Sequence, residues 1–375
     1  MNSKDYFYFA GRCLMLDENP EFAATIREKI NSDGIDWEKF VLLCSNHLIL
    51  PAIYLKFKRN NLIPDLPEEL TDFLKEIYEL NLLRNKQIIN QLSEITLLLN
   101  QNNIFPIYLK GAAHLLEGVY SDIGERILGD IDLLVAEKDY QPAAKALEAI
   151  GYSTTLEPHS YFDTDLSKHY PPLTKPGLPA YLEVHRQLTE VELDWFNPGI
   201  VETQKKSVHS LNGCFVLSDH HKIIHNFIHA HLSHGGSLFG ILSLRDLYDL
   251  HLLSVRNPLE ETISEIRYKK KAIAYFSFAS RALGLDNPFA ARAKFRSWYF
   301  RSKHDLNQTS RSFYFIHRAF AYIKYKIAER YMVQTIAFFR TKKMRRVFAK
   351  RLSDPGWYKL RIKEYLNIFT GKDKA

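Results

Sequence analysis

The sequence predicts an α+β protein in which a small mixed β-sheet is flanked by an N-terminal and a C-terminal helical region. Residues 1–103 place apolar side chains at the intervals of an amphipathic helix. Residues 104–217 contain short strand-like runs, and the helical period returns at residue 218. We therefore divide the chain into an N-terminal helical region (1–103), an α/β core (104–217), a helical region that completes the functional site (218–290) and a basic, aromatic-rich helical tail (291–375).

The N-terminal region is predicted to form a series of amphipathic helices. Turn-forming residues at 31–34 and 62–67 separate them. The predicted helices span residues 22–30, 37–47, 48–59 and 67–87, the last with a continuation to residue 100.

The core is predicted from alternating strands and helices. In chain order we expect a strand near residue 107, a helix over 112–119, a strand over 131–135, a helix over 139–150, and strands over 151–155, 180–185 and 214–217. The segment 157–179, with five prolines, is too broken for a regular element, and loops of this length are often lids or substrate loops. Its polar residues would reach the site or lie in solvent as ordinary loop residues: His159, Asp163, Asp165, Lys168 and His169.

Two acids on the second strand of the core suit a divalent cation. Asp130 and Asp132 lie two residues apart, so the alternation of a strand directs both carboxylates to one face. Two like charges held together favour a shared cation, and Mg²⁺ prefers carboxylate and phosphate oxygens. Over 180–185, apolar residues alternate with Glu183 and His185, which predicts a half-buried strand with both side chains on its polar face. Taken alone, the Asp pair more often marks a solvent-facing strand edge, and Glu183 more often is a surface glutamate.

A second motif lies just before the first core helix. Lys110 and Gly111 form a turn at the predicted helix start, where free backbone N–H groups favour phosphate. Arg126 adds a mobile basic side chain between this turn and the two acids. An anion cradle next to metal-binding carboxylates is typical of nucleotide chemistry.

These motifs resemble a known family, the uncharacterised bacterial nucleotidyltransferases of the DNA polymerase β-like superfamily, over about residues 30–255. The residues that carry the resemblance are Leu109-Lys110-Gly111, Tyr120, Arg126, Asp130-Ile131-Asp132-Leu133-Leu134-Val135 and Leu182-Glu183-Val184-His185. The resemblance implies that Asp130, Asp132 and Glu183 are catalytic and hold two Mg²⁺ (or Mn²⁺) ions. It also implies that Lys110, Gly111, Arg126 and His185 surround a nucleoside triphosphate donor, such as ATP. The family turn is usually Gly-Ser or Gly-Gly, whereas Ala112 follows the glycine in this chain, so Lys110 is expected to supply the phosphate contact.

The resemblance implies further site residues after residue 218. His225 and His229 would be helix residues that face the nucleotide, and Arg245 or Asp246 would approach its base or ribose.

The residues alone leave alternatives open. His221, His225 and His229 at four-residue spacing suit a zinc site, or are buried, hydrogen-bonded histidines. Arg245 and Asp249, also four apart, suit a surface helix pair.

Composition indicates a cytoplasmic protein. The three cysteines, Cys13, Cys44 and Cys214, are widely spaced, which argues against a disulfide or zinc-thiolate framework and favours a reducing compartment. Charged residues interrupt the N-terminal sequence, and no apolar run approaches the ~20 residues of a membrane span. We expect neither a signal peptide nor a transmembrane segment.

The basic charge is concentrated in the tail. Residues 291–375 contain 22 Lys and Arg against 5 Asp and Glu, with aromatic residues between them. This mixture suits nucleic acid, an anionic surface or an acidic partner. The slightly favoured alternative is a structural role in which six aromatics are buried among themselves: Phe295, Trp298, Phe313, Phe315, Phe320 and Tyr322.

The predicted function is Mg²⁺-dependent transfer of a nucleoside monophosphate from a nucleoside triphosphate to an unidentified hydroxyl or phosphate acceptor. One alternative is a non-catalytic module that binds nucleotide or nucleic acid, against which the intact set of acids argues. Another is a sugar-phosphate transferase or hydrolase on the same two-metal platform, which Ala112 in place of serine keeps open.

Overall fold

The computed structural model describes residues 1–32, 34–154, 168–189, 195–233 and 235–324, with isolated residues between 338 and 359. The described residues up to Tyr314 form one compact unit, and residues 315–324 belong to a second unit. The predicted loop residues His159, Asp163 and Asp165, and most of the basic tail after residue 324, lie outside the described residues. Predictions about them stay predictions, as does the four-part division of the chain.

Five helices confirm the predicted N-terminal helical region. They are α1 (Ser3–Leu14), α2 (Glu21–Asn31), α3 (Trp37–Asn46), α4 (Leu50–Arg59) and α5 (Glu68–Gln101). Local sequence explains where two of them begin. Asn2 and Asp5 form a reciprocal capping box at α1, and the Asp36 side chain accepts a hydrogen bond from the Lys39 N–H at α3.

Among the described residues, seven short strands form one mixed sheet. They are β1 (Ile107–Tyr108), β2 (Asp130–Leu134), β3 (Ser153–Thr154), β4 (Leu173–Thr174), β5 (Tyr181–His185), β6 (Lys206–Ser207) and β7 (Phe215–Val216). Their spatial order is β3-β4-β5-β2-β1-β7-β6. The central strand β2 runs parallel to β5 and antiparallel to β1. Together with the helices on both sides in sequence, this sheet confirms the predicted α+β class.

In the described part of the chain, ten further helices follow β1. They are α6 (Lys110–Leu116), α7 (Tyr140–Ala149), α8 (Pro198–Glu202), α9 (Asp219–Phe227), α10 (Gly236–Phe239), α11 (Leu244–Arg256), α12 (Leu259–Ile263), α13 (Lys269–Leu283), α14 (Lys294–Thr309) and α15 (Arg311–Lys324). A π-helical segment, Ile228–Ser233, continues directly from α9. Within the described ranges, no helix has both the length and the apolar character needed to cross a membrane.

Two local predictions were wrong. The proline-rich segment contains a regular element, β4, because its prolines flank Leu173–Thr174 and leave the strand residues free to pair. The first core helix ends at Leu116 rather than at residue 119. Gly118, with φ +58°, ends it in the left-handed conformation, and the Val119 N–H bonds back to the His114 carbonyl.

Helix α5 fixes the connection between α6 and β2. The Asn81 amide donates to the carbonyls of Gly124 (2.7 Å) and Arg126 (3.1 Å), and the Asn85 amide donates to the Arg126 carbonyl (2.8 Å). These bonds satisfy loop carbonyls that no strand or helix would pair. The backbone that carries Arg126 is therefore held by buried side chains.

The predicted mutual burial of the tail aromatics is wrong for four of the six residues. Phe295 and Trp298 on α14 are 76% and 52% exposed, and Phe315 and Phe320 on α15 are 51% and 70% exposed. Helix α14 packs against α1 and α13, and Phe300 is its buried aromatic. The opposite face of α14 stays open because only one side of a surface helix can be covered.

Candidate active site

Carboxylates from two parallel strands meet on one side of the sheet. In the register of β2 and β5, Asp132 lies opposite Glu183. Ligand atoms of Asp132, Glu183 and His185 all lie within 4.8 Å of one another. Asp130 and Glu183 line a cavity beside this group. The structure therefore brings together the three predicted acids and His185.

Asp132 is a buried carboxylate with two basic partners. It is 2% exposed, and its Oδ1 accepts hydrogen bonds from Lys110 Nζ (2.6 Å) and His185 Nε2 (2.8 Å). Burial alone would raise the pKa of Asp132, but the charge of Lys110 and the bond to His185 outweigh it and hold this pKa well below its ordinary value. Asp132 is therefore ionised at neutral pH.

The two basic partners respond in the opposite direction. Burial opposes the charged form of Lys110, but the charge of Asp132 outweighs it and the pKa of Lys110 is raised. The pKa of His185 is also raised in spite of burial, because Asp132 and Glu183 both accept from its ring nitrogen. The carboxylates of Asp132 and Glu183 are therefore already held by the basic side chains of Lys110 and His185.

Asp130 and Glu183 differ in how well their charge is compensated. Burial, followed by the nearby charge of Asp132, raises the pKa of Asp130. Burial also acts on Glu183, but the hydrogen bond from His185 Nε2, 3.3 Å away, outweighs it and lowers the pKa of Glu183. Of the three acids, Asp130 therefore has the negative charge that neighbouring groups compensate least, and a bound cation would stabilise it most.

Lys110 is placed by an uncommon backbone conformation. Its φ is +47°, in the left-handed region that non-glycine residues rarely adopt. The preceding Leu109 N–H bonds to the Asp132 carbonyl at 3.0 Å, which ties the start of α6 to β2. Together these features bring the Lys110 ammonium to the Asp132 carboxylate.

Arg126 is buried and held in place, so the expectation of a mobile side chain was wrong. Its Nε and Nη2 donate to Asp249 Oδ1 (3.0 Å) and Oδ2 (2.8 Å). The Tyr120 hydroxyl also donates to Asp249, and His114 Nδ1 lies 3.5 Å from it. Asp249 is therefore a buried anchor, and its interpretation as the surface partner of Arg245 was also wrong.

Gly111 is required by this arrangement. A Cβ at Gly111 would lie 2.1 Å from Arg126 Nη1 and 3.0 Å from Leu128 Cγ. The glycine therefore permits the close approach of the Arg126 guanidinium to α6. This explains the Lys-Gly pair independently of any phosphate.

The cavity beside the acids has a volume of about 290 Å³, at the lower end of the range for small-molecule sites. The predicted residues His225, His229 and Arg245 line it. Burial, then the charge of Lys110, lowers the pKa of His225 to about 3, so this imidazole is neutral. Five basic residues line the cavity: Lys110, Arg126, Lys168, Lys222 and Arg245.

The zinc alternative for His221, His225 and His229 does not form. The regular α-helix ends at Phe227 and becomes a π-helix, which breaks the even stacking of the three histidines. Among the described residues, His221 instead groups with His220 and Glu265.

Sequence reasoning missed several cavity residues, among them the polar residues His114, Lys222 and Asn226. On α9, His225 and Asn226 lie three and four residues after Lys222, so these side chains follow the intervals of one side of the helix. Helical periodicity applied to α9 would therefore have found them. Lys222 is 3% exposed and forms ion pairs with Glu117 and with Asp219 (3.0 Å).

The chain is therefore an α+β protein in which a cluster of acidic side chains, from two parallel strands, lies at the wall of a basic cavity. Residues 33–283 match the family described as uncharacterised nucleotidyltransferase, and the chain belongs to that family. The match covers every residue of the cavity and of the acidic group. No curated protein and no solved structure matches the chain.

Proposed function

We propose that the protein transfers a nucleotidyl group from a nucleoside triphosphate to a hydroxyl or phosphate acceptor, with Mg²⁺ or Mn²⁺. The observation that carries the proposal is the pairing of Asp132 with Glu183 on adjacent strands, with Asp130 beside them, at a cavity that five Lys and Arg residues line. A metal–triphosphate complex needs carboxylate oxygens for its cation and basic groups for its phosphates. Membership of a nucleotidyltransferase family supports the same chemistry.

The acidic group fits a divalent cation. Asp130, Asp132 and Glu183 would supply the oxygen ligands, and the pKa of Asp130 is raised by burial and then by the charge of Asp132, which a bound cation would offset. A metal ion held there would neutralise phosphate charge and lower the pKa of the acceptor hydroxyl. His185, within 4.8 Å of two of these acids, would orient them through its hydrogen bonds.

Lys110 and Arg126 take different roles in this proposal. The Lys110 side chain is 22% exposed and lines the cavity, so its ammonium can turn from Asp132 towards a triphosphate. A cation bound by Asp132 would favour that movement through charge repulsion. Arg126 stays bonded to Asp249 and acts as part of the wall that positions Gly111.

Glu183 is the proposed acceptor of the hydroxyl proton. Its pKa is lowered, so it is ionised at neutral pH, and its side chain is 18% exposed and faces the cavity. Arg245 and neutral His225, also at the cavity, would contact the base or ribose of the donor.

The test is pyrophosphate release from a panel of nucleoside triphosphates with Mg²⁺ or Mn²⁺ and an extract fraction as a source of acceptor. Asp130→Asn and Asp132→Asn should abolish metal-dependent release and metal-dependent nucleotide binding. The matched control, Asp72→Asn, changes an exposed carboxylate on α5 and should retain both. Full activity of the Asp132→Asn protein would rule out the proposed metal site.

One observation favours a second candidate, a nucleotide-binding module without turnover. Lys110 already neutralises Asp132 at 2.6 Å, as it would in a site that binds phosphate and no metal. In that case nucleotide affinity, measured by calorimetry, should be the same with Mg²⁺ or with EDTA, and neither pyrophosphate nor phosphate should be released. Release of phosphate alone would instead indicate hydrolysis.

A further inference from the structure

A second cleft lies between α1, α13 and α14, and it shares no residue with the active-site cavity. Its volume is about 790 Å³. Helix α1 forms one side, the end of α13 and the loop after it form the floor, and α14 forms the other side. The cleft lies within the first compact unit.

The charge of this cleft is strongly one-sided. Its lining contains six basic residues and one acid: Lys4, Arg12, Lys29, Arg281, Lys294 and Arg301 against Asp5. These basic residues come from four helices that are distant in sequence. Only Lys4 forms an ion pair within the described residues, 3.6 Å from Asp305. Uncompensated positive charge gathered in a concave surface attracts a polyanion.

An exposed aromatic face adjoins the cleft on α14. Phe295, Trp298 and Tyr299 are 76%, 52% and 53% exposed, and they lie at the three- and four-residue spacing of one helix face. The Phe295 ring centroid lies 5.8 Å from that of Trp298 and 6.5 Å from that of Tyr299, the latter nearly parallel. Trp298 also lines the cleft, so the aromatic face and the basic surface are continuous.

Two hydroxyl groups in the cleft lack partners. The Oγ atoms of Ser277 and Ser297 are buried, and neither has a hydrogen-bond partner among the described residues. Both serines line the cleft. A buried hydroxyl without a partner is uncommon, and a phosphate or ribose oxygen would satisfy it.

We propose that this cleft binds single-stranded nucleic acid, with phosphates among the basic residues and bases stacked on Phe295, Trp298 and Tyr299. A basic groove beside exposed aromatic rings is the arrangement that recognises unpaired bases. A duplex keeps its bases stacked internally and would leave the aromatic face unused. A lipid surface would need the charges on a protruding face, whereas these converge within a cleft. This binding goes beyond the proposed nucleotidyl transfer and does not depend on it.

The test is a salt series of fluorescence anisotropy titrations on the full chain, with labelled 20-nucleotide oligo(U) and oligo(dT) as probes. Arg281→Gln with Arg301→Gln should reduce the slope of log Kd against log salt by about 1.4, since each phosphate contact on a single strand contributes ~0.7. Trp298→Ala should weaken binding about tenfold, the loss typical of one stacked base, and Trp298→Phe should retain most of the affinity.

A charge-matched control distinguishes binding in this cleft from nonspecific attraction to the protein's positive charge. Lys75→Gln with Lys145→Gln removes two exposed charges from α5 and α7 and should leave the slope unchanged. Asp130→Asn should also bind the oligonucleotides normally, so loss of catalysis and loss of this binding are distinguishable. Equal losses in the two double variants would overturn the proposal. It would also fail if duplex DNA or anionic phosphatidylserine vesicles bound as tightly as the single strands through the same residues.

Discussion

The buried pair of Arg126 and Asp249 gives the most direct test of how the site is built. Asp249→Asn keeps the side-chain volume but removes the charge that Arg126 faces at 2.8 and 3.0 Å. Arg126 is 8% exposed and Asp249 is 3% exposed, so little water reaches the pair to replace the lost partner. Removing one member of such a pair typically costs 3–5 kcal/mol, and we expect a loss of about 3 kcal/mol or more in the free energy of unfolding.

The assay is urea unfolding, followed by tryptophan fluorescence and by circular dichroism, with the m-value compared between variants. The control is Glu137→Gln, which breaks the 2.8 Å pair with Arg186 where Glu137 is 66% exposed; this should cost at most ~1 kcal/mol. The double variant Arg126→Met/Asp249→Leu should recover part of the loss, because it removes the unpaired charge. A cost below ~1 kcal/mol for Asp249→Asn, equal to that of the control, would refute the argument that buried charge holds this wall together.

Three further predictions concern neighbouring residues. Gly111→Ala places a Cβ 2.1 Å from Arg126 Nη1 and should destabilise the protein by about 1–3 kcal/mol in the same urea assay; unchanged stability would contradict the proposed close approach. The pKa of His225 is about 3, against 6.5 when unfolded, so below pH 6.5 the unfolded state binds the proton first and stability should fall. The loss attributable to His225 should approach ~1.4 kcal/mol per pH unit, and His225→Gln should flatten the unfolding profile between pH 6.5 and 4 by that amount; parallel profiles would show that His225 is not held neutral. Lys110→Met should weaken triphosphate binding far more than nucleoside binding in calorimetric titrations, because Lys110 lines the cavity and is proposed to contact the phosphates. Equal losses for both ligands would show that Lys110 has a structural role only.

The sequence predicted the acidic group better than it predicted the basic one. Asp130 and Asp132 share a face because they lie on one strand, which local alternation decides. Glu183 required one further step, the adjacency of β2 and β5, which the family resemblance implied and the parallel register provides. The local residue pattern does not predict that register, because the register depends on how β2 and β5 pair across the sheet.

Arg126 could not be interpreted from its neighbours in the chain. Its partner Asp249 lies 123 residues away, on a helix whose local pattern equally suited a surface pair with Arg245. The same limit applies to Phe295 and Trp298. An aromatic residue in an amphipathic helix is expected to be buried, but which face of α14 meets α1 and α13 is a property of tertiary packing.

In the proposed function, the two basic residues nearest the acids have different roles. Arg126 is enclosed by Asp249, Tyr120 and a glycine that leaves no room for a side chain, and α5 holds its backbone. It cannot follow a substrate without breaking a buried ion pair that is costly to disrupt. Lys110 has a partly exposed, flexible side chain and a partner, Asp132, that a metal ion would also bind. In this proposal, the fixed Arg126 would provide preorganisation and the movable Lys110 would respond to the metal. Exchange of Lys110 for metal at Asp132 would then couple metal binding to capture of the triphosphate.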